Sequence, residues 1–273
     1  MALVSTHVGY VEKWECDTND HLNVRYYAKR FDEALEMLAA LTGHPSVTVK
    51  SRHVRFHREL RADAMTRVRS GRVIGGPANG RIVHLLENPE TGETAATALD
   101  QVDGLAGIGG VPAEEVAAAM PRSVPLEPAE PADAVARLER GAATLSNIRV
   151  ADPRSFDAVG RYRSFEFISG FSDAGAHVWA FAGMGSAFMA ERNWGRIAVE
   201  SKLTVFGTVE PGAVLRQISW IPDVAPKSMA LLHQVDDVRT GKVIARGDVR
   251  VMILDFATRR SVPIPDVLQS LPA

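Results

Sequence analysis

The stretch Cys16-Asp17-Thr18-Asn19-Asp20-His21-Leu22-Asn23 decides how this chain is read, because it returns about 156 positions later as Ser172-Asp173-Ala174-Gly175-Ala176-His177-Val178-Trp179. Three further echoes keep the same order. Phe56 to Val68 parallels Phe206 to Ile218, and His84 with Thr91-Gly92 parallels His233 with Thr240-Gly241. The segment Val111-Pro112-Ala113-Glu114-Glu115-Val116 resembles Ile264-Pro265-Asp266-Val267. A period this long exceeds that of solenoids and propellers, so the chain reads as one fold present twice. Each copy is large enough to bury its own core.

Outward from the first copy of the motif, the pattern is that of an α+β unit. A short strand, Thr6 to Trp14, leads into the Asp17 turn, and Val24, Tyr27, Phe31, Ala34, Leu35, Leu38 and Leu41 then fall on one helix face. Asp20 or Asn23 can cap that helix, since a short oxygen-bearing side chain accepts from the first free N–H groups. Gly43 supplies a stop. Segments of β character follow at Ser46 to His57, Ala64 to Val73, Gly80 to Glu87 and Ala95 to Val102. One strand, one long helix and then a meander predict a helix packed on an antiparallel sheet.

Pro112, Pro121, Pro125, Pro128 and Pro131 mark the end of the first copy and a linker, because proline fixes φ and removes a donor. The expected division is 1–125, linker 126–145, and 146–273. The motif match predicts the second helix over Ala180 to Arg196, with Gly183 and Gly185 as sites of close packing. Strands are expected at Ala198 to Phe206, Ala213 to Ile221, Met229 to Val235 and Val243 to Leu254.

Composition excludes several classes of function. The 273 residues are 46% hydrophobic and 23% charged with a net charge of -2, so neither a basic surface for nucleic acid nor an acidic arm is present. A single cysteine rules out an intrachain disulfide. The first residues, MALVSTHVGYVEKWE, lack the pattern of a secretory signal, and no apolar run is long enough to span a bilayer. A soluble, cytoplasmic protein that avoids membranes is expected.

Trp14-Glu15-Cys16-Asp17, a turn ending in His21-Leu22-Asn23-Val24, and Tyr26-Tyr27 at the head of a long helix resemble the hot-dog-fold acyl-CoA thioesterases of the 4-hydroxybenzoyl-CoA thioesterase type. Two copies resemble a double hot-dog, whose halves pair as subunits do in simpler members. The resemblance implies a site between paired units, with Asp17 as nucleophile or general base and the Val24 N–H polarising the thioester carbonyl. It also implies acyl-CoA as substrate, or less readily an acyl carrier protein thioester, with no metal or redox cofactor; further pairing into a homodimer of double hot-dogs is common for the fold. The chemistry is sound on its own terms. Thioester hydrolysis needs an activated oxygen and a donor where the carbonyl oxygen gains charge, and a helix start offers such a donor.

Each candidate has a second reading. Asp17 suits a turn cap as well as catalysis, and His21 either holds the loop or positions Asp17 or a water. Asn23 reads as a cap or a polar site residue. Tyr26 and Tyr27 read as substrate contacts or helix core. In the second copy Asp173 and His177 stand as the equivalents of Asp17 and His21, while Trp179 and Phe181 replace polar residues and suit an apolar wall. With Tyr26 and Tyr27 matched by Ala182 and Gly183, the Asp17 site is expected to be the working one. Cys16 has no base beside it in sequence, and His53 and His57 lack a third ligand, so neither a thiol nucleophile nor a metal is expected. Lys50, Arg52, Arg55, Arg58 and Arg61 form either a solvated strand edge or a contact for coenzyme A phosphates, with Arg55 and Arg58 the candidates. The competing functions are a hot-dog hydratase or dehydratase, whose Asp-x-Asn-Pro-x-His motif is absent, and a protein that binds an acyl thioester without cleaving it.

Overall fold

Apolar spacing and capping chemistry place the first helix where the sequence puts it. The computed structural model describes residues 3–45, 47–265 and 268; Ser46, Asp266 and Val267, which enter the strand and tail readings above, lie outside the described residues. The chain divides into two units, Met1–Glu127 and Pro128–Ala273.

In the first unit β1 (Val4–Tyr10) is shorter than its β-rich sequence suggests, because Lys13–Glu15 closes into a 3-10 turn. Helix α1 (Val24–Leu41) begins with the Asn23 carboxamide accepting from the Arg25 N–H at 3.1 Å and ends at Thr42, followed by Gly43 with φ +74°. Strands β2 (Thr48–Phe56), β3 (Met65–Ile74), β4 (Ile82–Glu87) and β5 (Thr94–Asp103) form an antiparallel sheet in the order β1-β3-β4-β5-β2, and β6 (Gly110–Pro112) pairs parallel with β3. Tyr27, Phe31 and Ala34 of α1 meet Val54, Val68 and Leu86 of the sheet in one buried cluster. The larger of these side chains, such as Phe31 and Leu86, each contribute about 1.5–3 kcal/mol on burial.

The second unit opens with the short helix α2 (Ala134–Glu139), which lies within the expected linker and packs on β9. Strand β7 (Thr144–Val150) follows, then a helical layer in three pieces: α3 (Ser164–Asp173), α4 (Gly175–Phe181) and α5 (Ser186–Glu191). The helix expected over Ala180 to Arg196 is therefore displaced. Gly183, at φ +72°, ends α4, and Gly185 precedes α5 as its cap, so these glycines break the helix instead of marking a close approach. Strands β8 (Trp194–Val205), β9 (Val214–Ala225), β10 (Ser228–Asp237) and β11 (Val243–Asp255) give the order β8-β11-β10-β9-β7, with β12 (Arg260–Ser261) on β11.

Buried polar groups show how the copies correspond. Thr6 Oγ1 lies 2.6 Å from Ser70 Oγ, which lies 2.6 Å from His84 Nδ1, with Phe31 packed on the imidazole. In the second unit Ser146 Oγ lies 2.7 Å from Ser219 Oγ, which lies 2.7 Å from His233 Nδ1, with Phe171 stacked on the ring. Thr6 to Ser146 is 140 positions, whereas Ser70 to Ser219 and His84 to His233 are 149. The true period is thus 140 around the turn and helix, and 149 through the sheet. The first unit adds a buried ion pair to this core: Arg52 bonds Asp100 at 2.8 and 2.6 Å and also pairs with Asp32. Across β8 and β11 the corresponding pair is Ser201 and Val249.

Candidate functional site

A short antiparallel ladder builds the Asp17 turn. Cys16 bridges Leu22, the Asp17 N–H donates to the His21 carbonyl at 2.8 Å, and the Asn23 N–H donates to the Glu15 carbonyl at 3.0 Å. Asp20 takes φ +65° at the corner, a conformation that Asp tolerates better than most side chains. The Asp17 carboxylate is half-buried. Its Oδ1 accepts from the N–H groups of Asn19 at 2.8 Å and His21 at 3.3 Å, and among the described residues Oδ2 takes no protein donor. The Val24 N–H, first in α1, likewise donates to no protein group among the described residues.

A buried guanidinium holds this arrangement in place. Arg30 donates to Glu15 at 2.7 Å, to the Tyr10 carbonyl at 2.8 Å and to the Tyr26 carbonyl at 3.1 Å. It ties the strand end, the 3-10 turn and the first turn of α1 together. His21 is buried, with Nε2 3.1 Å from Glu59 and 3.2 Å from Arg61, while the Leu22 N–H donates to the Leu60 carbonyl at 2.7 Å. The 59–61 segment therefore braces the turn from the other side.

The second unit repeats the turn at Asp157, not at Asp173. Phe156 bridges Tyr162, and the Asp157 N–H donates to the Arg161 carbonyl at 2.8 Å, as Asp17 does to His21. Gly160, φ +81°, occupies the corner taken by Asp20. Asp157 Oδ1 accepts from the N–H groups of Val159 and Arg161, while Arg161 Nε and Nη2 approach Oδ2 at 2.9 and 2.8 Å. Burial alone would raise this carboxyl; the donors from Arg161 and Val159 outweigh it and hold it below the usual carboxylate range. Asp173 and His177 are exposed, at the end of α3 and on α4 respectively, away from this ladder in sequence and in fold. The match that named them follows a chance recurrence of Asp and His.

The remaining candidates separate into core and surface. Tyr27 is buried; its hydroxyl donates to the Arg58 carbonyl at 3.4 Å and accepts from the Leu60 N–H at 3.2 Å, and burial pushes it well up. Tyr26 is half-buried and meets Trp14 edge to face, with ring centroids 5.6 Å apart. Trp179 lies in the core of the second unit beneath Arg196, and Phe181 is partly buried at the end of α4. Burial pushes the Cys16 thiol up, which works against a thiolate. Among the described residues no group of His, Cys, Asp and Glu could hold a metal ion.

The basic run does not behave as one surface. Arg52 is buried in its ion pairs, and Lys50 pairs with Asp103 at 3.1 Å. Arg55, Phe56, His57 and Arg58 line a cleft of about 470 Å³ with Glu93, Thr94, Ala118 and Arg122. Arg55 is anchored there by the carbonyls of Ala118 at 2.6 Å and Met120 at 3.0 Å. Burial, together with repulsion from Arg55, Arg122 and Arg58, depresses His57 to about 4. Phe56 packs edge to face on Tyr27, which connects the cleft wall to the first turn of α1. Sequence reasoning missed Arg122, Trp14 and the scaffold arginine Arg30. Only Trp14 carried a signal, as a large aromatic three residues before the carboxylate.

Residues 156–271 match one family model, described as the thioesterase-like superfamily. That match falls within the second unit. Solved structures extend the likeness to both units. A Lactobacillus plantarum chain provisionally assigned as an oleoyl thioesterase superposes with a TM-score of 0.64 at 12% identity, covering 92% of this chain and 96% of its own. An acyl-ACP thioesterase from Bacteroides thetaiotaomicron VPI-5482 gives 0.58 at 11% identity, covering 90% and 96%. The 12:0-ACP thioesterase from Umbellularia californica gives 0.58 at 13% identity, covering 90% and 93%. At these identities the likeness is one of fold, and the chain is a tandem of two hot-dog units. No curated protein sequence matches it. No described helix is long and apolar enough to cross a membrane.

Proposed function

We propose that this protein hydrolyses an acyl thioester to a free acid and a thiol, using Asp17 of the first unit. The observation that carries the reading is the pairing of Asp17 Oδ2 and the Val24 N–H. Both lack protein partners among the described residues, and both border one hydrogen-bonded turn. A carboxylate oxygen with an open lone pair activates a water or attacks directly. As general base, Asp17 takes a proton from water while the water oxygen bonds to the carbonyl carbon. The oxyanion accepts from Val24 N–H at the positive end of α1, and the C–S bond then breaks as the thiolate takes the proton back. As nucleophile, it forms a mixed anhydride and releases the thiolate, and water then cleaves the anhydride.

Asn23 keeps the helix start fixed through its cap, and His21 braces the turn against Glu59 and Arg61. The cleft of Arg55, Arg58 and Arg122 suits the phosphates of the thiol carrier, since guanidinium groups fork onto phosphate. Coenzyme A is the carrier favoured by the original resemblance. Two fold neighbours are named for acyl carrier protein thioesters, so both carriers belong in the assay.

Thiol release from acyl-CoAs and from acyl carrier protein thioesters, comparing the wild type with Asp17→Asn, tests the reading. Turnover in the wild type and its loss in the variant support it. Binding without cleavage would replace hydrolysis with a carrier role.

A further inference from the structure

Beside the Asp17 turn stands an aromatic pair that the chemistry just described leaves unused. Trp14 is 65% exposed, and it meets the half-buried Tyr26 edge to face. Leaving so large an apolar side chain in water forgoes stabilisation that burial would give. Its position is fixed nonetheless. Trp14 lies in the 3-10 turn Lys13–Glu15 and precedes Glu15, whose carbonyl accepts from Asn23 N–H and whose carboxylate is held by Arg30. Tyr26 is held through its carbonyl by the same Arg30.

The second unit shows what this position looks like where Asp is closed off. Counting 140 residues on, Trp14 corresponds to Arg154 and Tyr26 to Glu166. Arg154 is exposed and pairs with Asp152, and the aromatic pair of the second turn, Phe156 and Tyr162, stands instead at the places of Cys16 and Leu22. The open carboxylate and the exposed aromatic pair occur together in one turn; in the other, Arg161 closes the carboxylate and the charged Arg154 and Glu166 take the places of the two rings.

We infer that Trp14 and Tyr26 form a ledge that packs against the acyl group of the substrate and gives the site a preference for long apolar acyl chains over short ones. This inference rests on the proposed Asp17 site. An acetyl group is too small to cover two rings, whereas a fatty acyl chain buries apolar area along both.

Binding and turnover test it in the full chain. S-dodecyl-coenzyme A, a thioether that cannot be hydrolysed, is titrated against wild type and Trp14→Phe while tryptophan emission is followed; S-ethyl-coenzyme A is the control. The dodecyl compound is expected to shift the emission of the wild type, with the shift lost in Trp14→Phe, and the ethyl compound to leave it unchanged. In parallel, Trp14→Ala is expected to raise KM for dodecanoyl-CoA by about tenfold, with kcat/KM for acetyl-CoA within about twofold of wild type. An emission shift that persists in Trp14→Phe, or a KM for dodecanoyl-CoA that Trp14→Ala does not move, overturns the ledge while leaving hydrolysis by Asp17 standing. An emission shift without cleavage of any acyl-CoA keeps the ledge and removes the hydrolytic reading.

Discussion

Arg161 reaches Asp157 through Nε at 2.9 Å and Nη2 at 2.8 Å, both at Oδ2, while backbone N–H groups take Oδ1. The same turn in the first unit has His21 at the position of Arg161, and its ring faces Glu59 and Arg61. One carboxylate is closed by its neighbour four residues on, and the other keeps an oxygen open. Asp17→Asn is therefore expected to lower thiol release by at least about a hundredfold, and Asp157→Asn to leave it within about twofold. Asp157→Asn should instead reduce stability by about 1–2 kcal/mol, because it removes a charge-assisted pair at a partly exposed site. Turnover assays and urea melts of both variants check the division; equal loss of turnover in the two would refute it.

The scaffold guanidinium changes its origin between the copies. In the first unit Arg30 of α1 donates to the Tyr26 carbonyl, and β1 carries Gly9. In the second unit the corresponding helix residue is Gly170, and Arg149 of β7, at the place of Gly9, donates to the Glu166 carbonyl at 2.8 Å. A Cβ on Gly170 would lie 2.7 Å from Arg149 Nη1. Gly170→Arg alone overfills the space, and Arg149→Gly alone leaves it empty. The double variant should recover about 1–3 kcal/mol relative to the sum of the singles, read from denaturant midpoints in a double-mutant cycle.

Acid should destabilise the fold through the buried His233. Burial holds His233 at about 3, far below the unfolded value near 6.5. Between these pH values the unfolded chain binds the proton and the folded chain does not, so stability rises with pH across that window and falls as pH drops through it. Asp100 is shifted in the same direction for a different reason. Burial would raise it, but Arg52 and His84 hold it at about 2, so its contribution is present above the unfolded carboxyl value and is lost only as pH falls toward 2. Melting temperatures measured from pH 7 to pH 4 are expected to fall for the wild type, and less steeply for His233→Gln. Parallel slopes would assign the acid sensitivity elsewhere.

On the proposed function the cleft meets the phosphates of the carrier and not the acyl group. Arg58 is exposed and Glu93 is its only acidic neighbour in the lining, so it is free to be changed without disturbing the core. Arg58→Glu is expected to raise KM for acyl-CoA by about three- to tenfold at low salt, with the difference shrinking as salt rises. Acyl-pantetheine, which lacks the nucleotide phosphates, should show no such change. An equal change for both substrates would place the effect on folding.

The sequence made the first helix, the meander and the existence of a repeat legible, because apolar spacing, the Asn23 cap and Gly43 are local signals. The paired echoes of His84 with His233 and of Thr91-Gly92 with Thr240-Gly241 fall on the true sheet register. The turn was misaligned because its counterpart keeps only the carboxylate: Cys16, Asp20, His21 and Leu22 correspond to Phe156, Gly160, Arg161 and Tyr162. A left-handed corner accepts either Asp20 or Gly160, so the geometry survives while the letters change. The basic run was equally opaque. Arg52 is buried against Asp100 and Asp32, which lie far from it in sequence, while Arg58 remains in solvent. Periodicity sees only the strand that carries them both.

Having one turn with a closed carboxylate and one with an open carboxylate gives the molecule a built-in reference. A carbodiimide that activates accessible carboxylates meets two near-copies of one loop in the same solution, at the same concentration and temperature, and Arg161 shields only one of them. The labelling ratio of Asp17 to Asp157 therefore reports local reactivity free of sample-to-sample variation, and a ligand seated at the first turn would be seen as that ratio falling toward unity.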